Sequence, residues 1–147
     1  MTTTMKQEMQ AFIEVMDEFS QLLQQETAAL KAMDIKHVDA LQVRKFELSR
    51  LYQQRVETLA ARRGELVAVE LPLREHLVKK RTLFNGLLND NARALETMRQ
   101  SARRLSDRIL EATRRAVGGE RQTSYSAQGQ HYSAPSSMLS IRMDQTL

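Results

Sequence analysis

The chain has 147 residues, enough for one ordinary domain, and its 5% aromatic content, five Gly and two Pro are too few for the strands and turns of a multi-strand sheet. It contains no Cys, which excludes a disulfide framework, a thiolate nucleophile and a zinc–thiolate site. Its net charge is +4, no apolar run approaches the roughly 20 residues of a membrane span, and no apolar segment follows a basic N-terminus, so we expect a soluble, cytoplasmic protein without a signal peptide.

The first predicted helix covers residues 5–33 and is acidic, since residues 1–42 hold three Lys against seven Asp or Glu. Its apolar residues follow one another in steps of four and three, and Glu26 fills the one missing position. The apolar members of this stripe are Met5, Met9, Phe12, Met16, Phe19, Leu23, Leu30 and Met33. A stripe of this period is typical of the a and d positions of a coiled coil, so we predict that the helix packs along this face.

The second predicted helix covers residues 35–69 and follows a short turn, in which Asp34 is a suitable N-cap. Because the turn is short, we expect this helix to fold back antiparallel to the first. Its stripe consists of Val38, Leu41, Lys45, Leu48, Tyr52, Arg55 and Leu59. We expect the two cationic members, Lys45 and Arg55, to snorkel past the seam into solvent. Pro72 predicts a kink or turn near residues 70–73, because proline inside a helix removes a backbone hydrogen bond.

The third predicted helix covers residues 73–117. Its stripe consists of Leu77, Lys80, Phe84, Leu88, Asn91, Leu95, Met98, Ala102, Leu105, Ile109, Ala112 and Ala116. About 45 residues at about 1.5 Å per residue make a rod of roughly 67 Å, against roughly 45 Å for the first helix. We therefore expect the third helix to extend beyond its partners and to leave apolar surface uncovered, as partner-binding surfaces do. Residues 43–117 hold 17 Lys or Arg against nine Asp or Glu, so the acidic first helix has two basic helices to pair with.

The last part of the chain differs in composition. Gly118 and Gly119 are a suitable helix end, and Ser, Gln, Thr and Gly dominate the residues that follow. Such a segment cannot bury enough apolar surface to offset its chain entropy, so we predict a disordered tail over residues 118–147, with recognition segments at 124–129 and 138–143. The predicted fold is all-α: an antiparallel three-helix coiled-coil bundle over residues 1–117, with a long third helix.

Motifs of catalysis and of cofactor or metal binding are missing from the sequence. There is no phosphate-binding or dinucleotide-binding glycine loop and no nucleophile elbow. The three His residues fall in different segments, without the i, i+4 spacing of a helical metal site. We expect no enzymatic activity, no cofactor and no metal site.

Two polar features of the third helix each allow two interpretations. Asn91 is a register-fixing polar residue of the core or a polar contact inside a binding groove. A cluster of six arginines in the second half of the helix is either a phosphate-binding surface or else a solvated face or a docking face for an acidic helix. The second interpretation is favoured, because acidic residues are interleaved and no aromatic residue accompanies the cluster. Its members are Arg99, Arg103, Arg104, Arg108, Arg114 and Arg115.

The order of these features resembles the FlgN family of flagellar export chaperones. The acidic first helix ends in Ala-Leu-Lys-Ala-Met-Asp-Ile, the third carries Leu-Phe-Asn-Gly-Leu-Leu-Asn-Asp-Asn at 83–91, and the tail carries Tyr-Ser-Ala-Gln-Gly at 125–129. The resemblance covers nearly the whole chain.

The resemblance implies a cytosolic chaperone of the bacterial flagellar type III secretion system. Such a protein binds the helical C-terminal segments of the hook–filament junction proteins FlgK and FlgL and delivers them to the export gate protein FlhA, with the export ATPase apparatus as a further partner. The residues expected to bind the client are Leu95, Met98, Leu105 and Ile109. Tyr125 matches the tail tyrosine that the family is thought to present to the gate. Neither nucleic acid nor membrane insertion is implied.

Two other functions remain open from the residues alone. A self-assembling structural coiled coil, such as a rod or stalk subunit, would form a large oligomer without a partner. A basic coiled coil that associates with nucleic acid would bind with an affinity that falls steeply with salt.

Overall fold

The structure, a computed structural model, describes residues 2–119, and within this range the predicted all-α class is confirmed. The elements, in chain order, are α1 (Met5–Lys31), α2 (Ile35–Ala61), a 3-10 helix (Arg63–Ala68) and α3 (Leu71–Gly119). None of these helices combines the length and apolar character that crossing a membrane requires. The chain divides into two compact units, the first ending at Ala94 and the second beginning at Leu95.

A capping box begins α1. The Thr4 hydroxyl accepts a hydrogen bond from the Gln7 backbone N–H at 3.3 Å, and the Gln7 side-chain oxygen accepts one from the Thr4 backbone N–H at 2.9 Å. Backbone donors at a helix N-terminus have no partner within the helix. The two reciprocal bonds therefore stabilise the start of α1.

The turn between α1 and α2 is a Schellman motif. The Met33 backbone N–H donates to the Leu30 carbonyl at 3.1 Å. The Asp34 N–H donates to the Ala29 carbonyl at 2.9 Å. Met33 has a φ of 59°, in the left-handed region where glycine is usual. The Asp34 carboxylate accepts from the His37 backbone N–H at 3.2 Å, which confirms Asp34 as the N-cap of α2.

The core of the first unit follows the heptad stripes. On α1, every stripe position from Met5 to Leu30 is buried, Glu26 included, whereas Met33 lies in the turn and is exposed. The stripe residues that α2 and α3 bury in this unit are Val38, Lys45, Leu48, Leu59, Phe84 and Asn91. The 3.5-residue period therefore identifies the buried face of each helix.

Ion pairs between α1 and α2 join early residues to late ones. Glu8, in the first turn of α1, pairs with Arg55 near the end of α2 at 3.1 Å. Glu26, near the end of α1, pairs with Lys45 at 2.9 Å. This order is what neighbouring helices show when they run in opposite directions. In each pair, as in Glu18–Arg44, α1 supplies the acid and α2 the base.

Contacts between α1 and the first part of α3 follow the same order along both helices. Asp17 pairs with Lys80 at 2.8 Å, and ten residues further along α1 the Thr27 hydroxyl accepts from the Asn91 amide at 3.3 Å. The acidic face of α1 thus meets basic residues of α3 as well as of α2. The expected pairing of the acidic helix with the basic ones occurs within the first unit.

Four aromatic rings from the three helices meet in this core. Tyr52 of α2 stacks on Phe84 of α3 with ring centroids 4.8 Å apart, and it lies 5.2 Å from Phe12 of α1. Phe19 is 5.1 Å from Phe84. Desolvation by these neighbours raises the pKa of the Tyr52 phenol, against a smaller lowering by Arg81. Such ring pairs add packing energy beyond the area they bury.

The predicted end of the second helix was wrong. A single helix to residue 69 was expected, but α2 ends at Ala61, and the 3-10 helix Arg63–Ala68 follows it. Gly64 has a poor helix propensity, and the Arg62 side chain, which bonds both carboxylate oxygens of Glu65, reinforces the tighter local turn. The turn predicted near residues 70–73 is present, because Val69 and Glu70 lie outside the helices, between the 3-10 helix and α3. Pro72 lies in the first turn of α3, where a missing N–H leaves no intrahelical bond unmade.

The described part of the second unit is the C-terminal part of α3. Met98 is buried, Leu95 is half-buried, and every residue from 99 to 118 is exposed. The remainder of the predicted tail, including Tyr125 and residues 138–143, lies outside the described residues.

Candidate functional site

The four predicted client-binding residues differ in exposure. Leu105 and Ile109 lie one turn apart on α3, and each is 59% exposed. Leu95 is half-buried, and Met98 is 9% exposed, so a client contacts Met98 only if its surroundings move. We refer to the a and d positions of this unit as the α3 stripe: Leu95, Met98, Ala102, Leu105, Ile109, Ala112 and Ala116.

Two further exposed apolar side chains were missed by the sequence analysis. Leu110 is 51% exposed and Val117 is 70% exposed, and they are seven residues apart on the same side of α3. Both occupy b positions of the heptad, and the e positions separate them from Ile109 around the helix. The signal in the sequence was their spacing of one heptad, which the a/d pattern alone does not include. The exposed apolar side chains of this unit are therefore not confined to the stripe.

Ion pairs accompany this face without covering it. Arg99 binds Glu96 through two hydrogen bonds, of 3.0 and 2.9 Å, and Arg115 binds Glu111 at 3.0 Å. The hydrogen bond from Arg99 lowers the pKa of the Glu96 carboxyl, and the same bond raises the pKa of Arg99. Exposed pairs of this kind contribute little to stability, so they chiefly orient the arginines.

A second polar cluster lies inside the first unit, where Glu26, Lys45 and Asn91 form a buried layer. Lys45 Nζ donates to Glu26 Oε1 at 2.9 Å and to Asn91 Oδ1 at 3.2 Å. Asn91 Nδ2 donates to the same Glu26 oxygen at 3.2 Å, and Gln42 Nε2 donates to the other oxygen at 3.2 Å. Glu26, Lys45 and Asn91 belong to the stripes of α1, α2 and α3, respectively. The layer is thus a closed hydrogen-bonded network with no open coordination site.

This layer corrects one expectation and bears on another. The side chain of Lys45 is 3% exposed, so the prediction that it snorkels into solvent was wrong. Glu26 and Asn91 supply its hydrogen-bond partners in the interior, which removes the need to reach water. Arg55 remains partly exposed, in its pair with Glu8. Asn91 is 2% exposed, so its surroundings match the register-fixing interpretation and not the groove contact.

A shallow groove of about 630 Å³ lies between α1 and the first part of α3. Its walls include the Asp17–Lys80 ion pair, Gln21 and Gly86, and its most exposed apolar side chain is Leu83, at 65%. Most of the residues that line it are polar or charged, and Leu83 and Leu87 are its two large apolar side chains. It is a useful comparison surface on the same helix.

Among residues 2–119, no group of three or more His, Cys, Asp or Glu side chains is arranged to hold a metal ion. Comparison of the chain with protein-family models, curated proteins and solved structures gave no significant match.

Proposed function

We propose that the protein is a cytoplasmic chaperone of the FlgN type, which binds the helical C-terminal segments of FlgK and FlgL before their export by the bacterial flagellar type III system. In this proposal the chain is an antiparallel three-helix coiled-coil bundle with a long third helix and a disordered tail, and it is not an enzyme. The order of features from the acidic first helix to Tyr125 supports the family. The exposed α3 stripe supports the binding role.

The observation that carries the proposal is the exposure of Leu105 and Ile109 in a helix that is exposed from residue 99 to 118. An amphipathic client helix that lies along this face would bury both side chains, in the helix-in-groove manner of peptide recognition. Full burial of such a side chain contributes roughly 1.5–3 kcal/mol. Leu95 and Met98 would extend the contact toward the N-terminus of the stripe if the client displaces what covers them.

The other parts of the chain have separate roles in this proposal. The first unit provides a stable helical body from which α3 continues. Tyr125, in the tail, is proposed to contact FlhA at the export gate, with the export ATPase apparatus as an additional partner. Because residue 125 follows the stripe in the chain, gate contact and client contact would use different residues.

The experiment is co-purification of the full chain with the C-terminal segments of FlgK and FlgL, wild type against Leu105→Asp/Ile109→Asp. We expect a one-to-one complex with wild type that is lost in the double variant, because carboxylates on the stripe would have to be desolvated on binding. Circular dichroism should show unchanged helicity, since both side chains are exposed in the free protein.

A matched control is Val78→Asp/Leu83→Asp, which changes two α3 side chains of similar exposure, 64% and 65%, in the first unit. This variant should keep the complex. If it abolishes the complex while the stripe variant does not, the client site is elsewhere on α3. If wild type binds neither client, the chaperone proposal fails.

The exposed stripe also fits a second candidate, a self-assembling structural coiled coil. In that case light scattering of the purified chain would find a large oligomer without any client, and Leu105→Asp/Ile109→Asp would dissolve it. The chaperone proposal instead expects a monomer or small dimer. A nucleic-acid-binding function would require duplex binding that weakens steeply with salt.

A further inference from the structure

The charged residues that flank the α3 stripe are all arginines. In the heptad frame of the stripe, residues at e and g lie directly beside a and d and face the borders of a partner helix. Between residues 95 and 118 the e and g positions hold Arg99, Ser101, Ser106, Arg108, Thr113 and Arg115. The stripe is thus bordered by positive charge and by small hydroxyl side chains.

The acidic residues of this segment lie further from the stripe. Glu96, Asp107 and Glu111 occupy b, f and c positions, which point away from a partner on the stripe. Glu96 pairs with Arg99 and Glu111 pairs with Arg115, and both ion pairs are exposed. Arg108 has no acidic partner among the described residues.

We propose that the α3 stripe receives an amphipathic helix whose own apolar stripe is bordered by aspartate and glutamate. This inference rests on the proposed function only in taking the α3 stripe as the binding face, and it assigns the chemistry of the occupant. Opposite charges at flanking positions determine which helices pair and in which orientation. An occupant bordered by lysine or arginine would place like charges beside Arg108 and would be rejected.

Other occupants fit the same surface less well. A second copy of this segment would bring six arginines and three acids against an equal set, so its net charge would oppose pairing. The acidic helix α1 of a second copy is unavailable, because its apolar face is buried in its own core. Nucleic acid would match the arginines but would leave Leu105 and Ile109 uncovered.

The test uses full-length protein and three labelled peptides of about three heptads, the length of the stripe. All three carry Leu at a and d, and they differ only at e and g, which are Glu, Gln or Lys. Fluorescence anisotropy should rank their affinities Glu above Gln above Lys. The preference for Glu over Gln should shrink between about 0.1 M and about 1 M salt, as the Debye length falls from about 10 to about 3 Å.

Two charge-reversal variants locate the effect on the helix. Arg108→Glu/Arg115→Glu changes the border of the stripe and should invert the ranking, with at least about a tenfold loss of affinity for the Glu peptide. Arg103→Glu/Arg114→Glu makes the same change in net charge at b and f positions, and it should keep the ranking. All four arginines are exposed, so both variants should fold.

Equal affinities for the three peptides, or the same loss in both variants, would overturn the inference. So would direct binding of a DNA duplex that Leu105→Asp/Ile109→Asp leaves unchanged, because that result would assign the arginines to nucleic acid. If FlgK and FlgL segments bind but neither reversal weakens them more than the other, the inference fails and the chaperone function stands. If the Glu peptide binds through the stripe but the FlgK and FlgL segments do not bind, the proposed function fails and the inference stands.

Discussion

Glu26, Lys45 and Asn91 are almost fully removed from water, although each is polar or charged. The transfer of a carboxylate and an ammonium from water into a protein costs several kcal/mol per ion, so such a pair persists only with good hydrogen-bond partners. Here the ammonium donates to both other members, and Gln42 satisfies the second carboxylate oxygen. A polar residue at a seam position also selects one helix register, since a shifted helix would leave it without partners.

Removal of the cation alone should destabilise the protein strongly. In Lys45→Met the side chain keeps a similar length and loses its charge, which leaves Glu26 buried without a counter-ion. We therefore expect the free energy of unfolding to fall by about 3–5 kcal/mol. Urea denaturation followed by circular dichroism measures this change.

The control for this prediction replaces the whole layer with apolar residues, as Glu26→Leu/Lys45→Met/Asn91→Leu. Because no charge then remains buried, stability should return to near the wild-type value or exceed it. Light scattering should reveal mixed association states, because the register-selecting group is gone. A single variant no less stable than the triple one would contradict the interpretation of the layer.

At the scale of elements, the turn after α1 stores backbone strain at one residue. Met33 adopts a φ of 59°, and its side chain is 63% exposed, so it gains little from packing. An L-residue in this region costs roughly 1–2 kcal/mol, and glycine avoids that cost. We expect Met33→Gly to raise the free energy of unfolding by about 0.5–1 kcal/mol, after the loss of unfolded-state entropy is included.

The neighbouring residue gives a matched control for this substitution. Ala32 has a φ of −83°, an ordinary helical value, and is also exposed. Ala32→Gly should therefore destabilise, by about 0.5–1 kcal/mol, because glycine there only adds freedom to the unfolded chain. Thermal or urea denaturation of the two variants should shift in opposite directions. Shifts of the same sign would show that the turn is not strained at Met33.

At the scale of the whole molecule, the opposite charges of the sequence are partly matched and partly left over. Within the first unit, acids of α1 pair with bases of α2 and α3 in Glu8–Arg55, Glu18–Arg44, Glu26–Lys45 and Asp17–Lys80. In the second unit, the described residues are exposed from 99 onward and carry more arginine than acid. The first unit thus pairs its acidic and basic residues between helices, whereas the described part of the second unit exposes apolar side chains together with unbalanced arginines.

Hydrogen exchange should detect this difference in the full-length protein. Helices without tertiary packing are marginal in water, so amides at 101–118 should exchange much faster than those at 9–30. The Glu-bordered peptide should slow exchange at 101–118 and leave 9–30 unchanged. Equal protection of the two segments in the free chain would mean that α3 is covered, which would contradict an open binding face.

The sequence by itself determined the three α-helices, apart from the end of α2, and the face that each one buries in the first unit. The heptad steps located the core positions of α1, and the same period led to Phe84 and Asn91 on α3 and to Leu48 and Leu59 on α2. It also located the first turn, because Asp34 follows Met33, the last residue of the predicted apolar stripe. These properties were predictable because they depend on neighbours within one or two turns of the same helix.

The tertiary structure decided how polar stripe residues are used and where the surface is open. The pattern of α2 alone predicts that Lys45 is solvated, because a cation is costly to bury. Glu26 and Asn91, from other helices, accept hydrogen bonds from its ammonium group and stabilise it in the interior. Likewise Met98 and Leu105 occupy equivalent d positions, yet one is buried and the other exposed. The heptad pattern predicts the same burial for both positions. It cannot distinguish them, because exposure depends on which distant segments cover a side chain and not on its sequence neighbours.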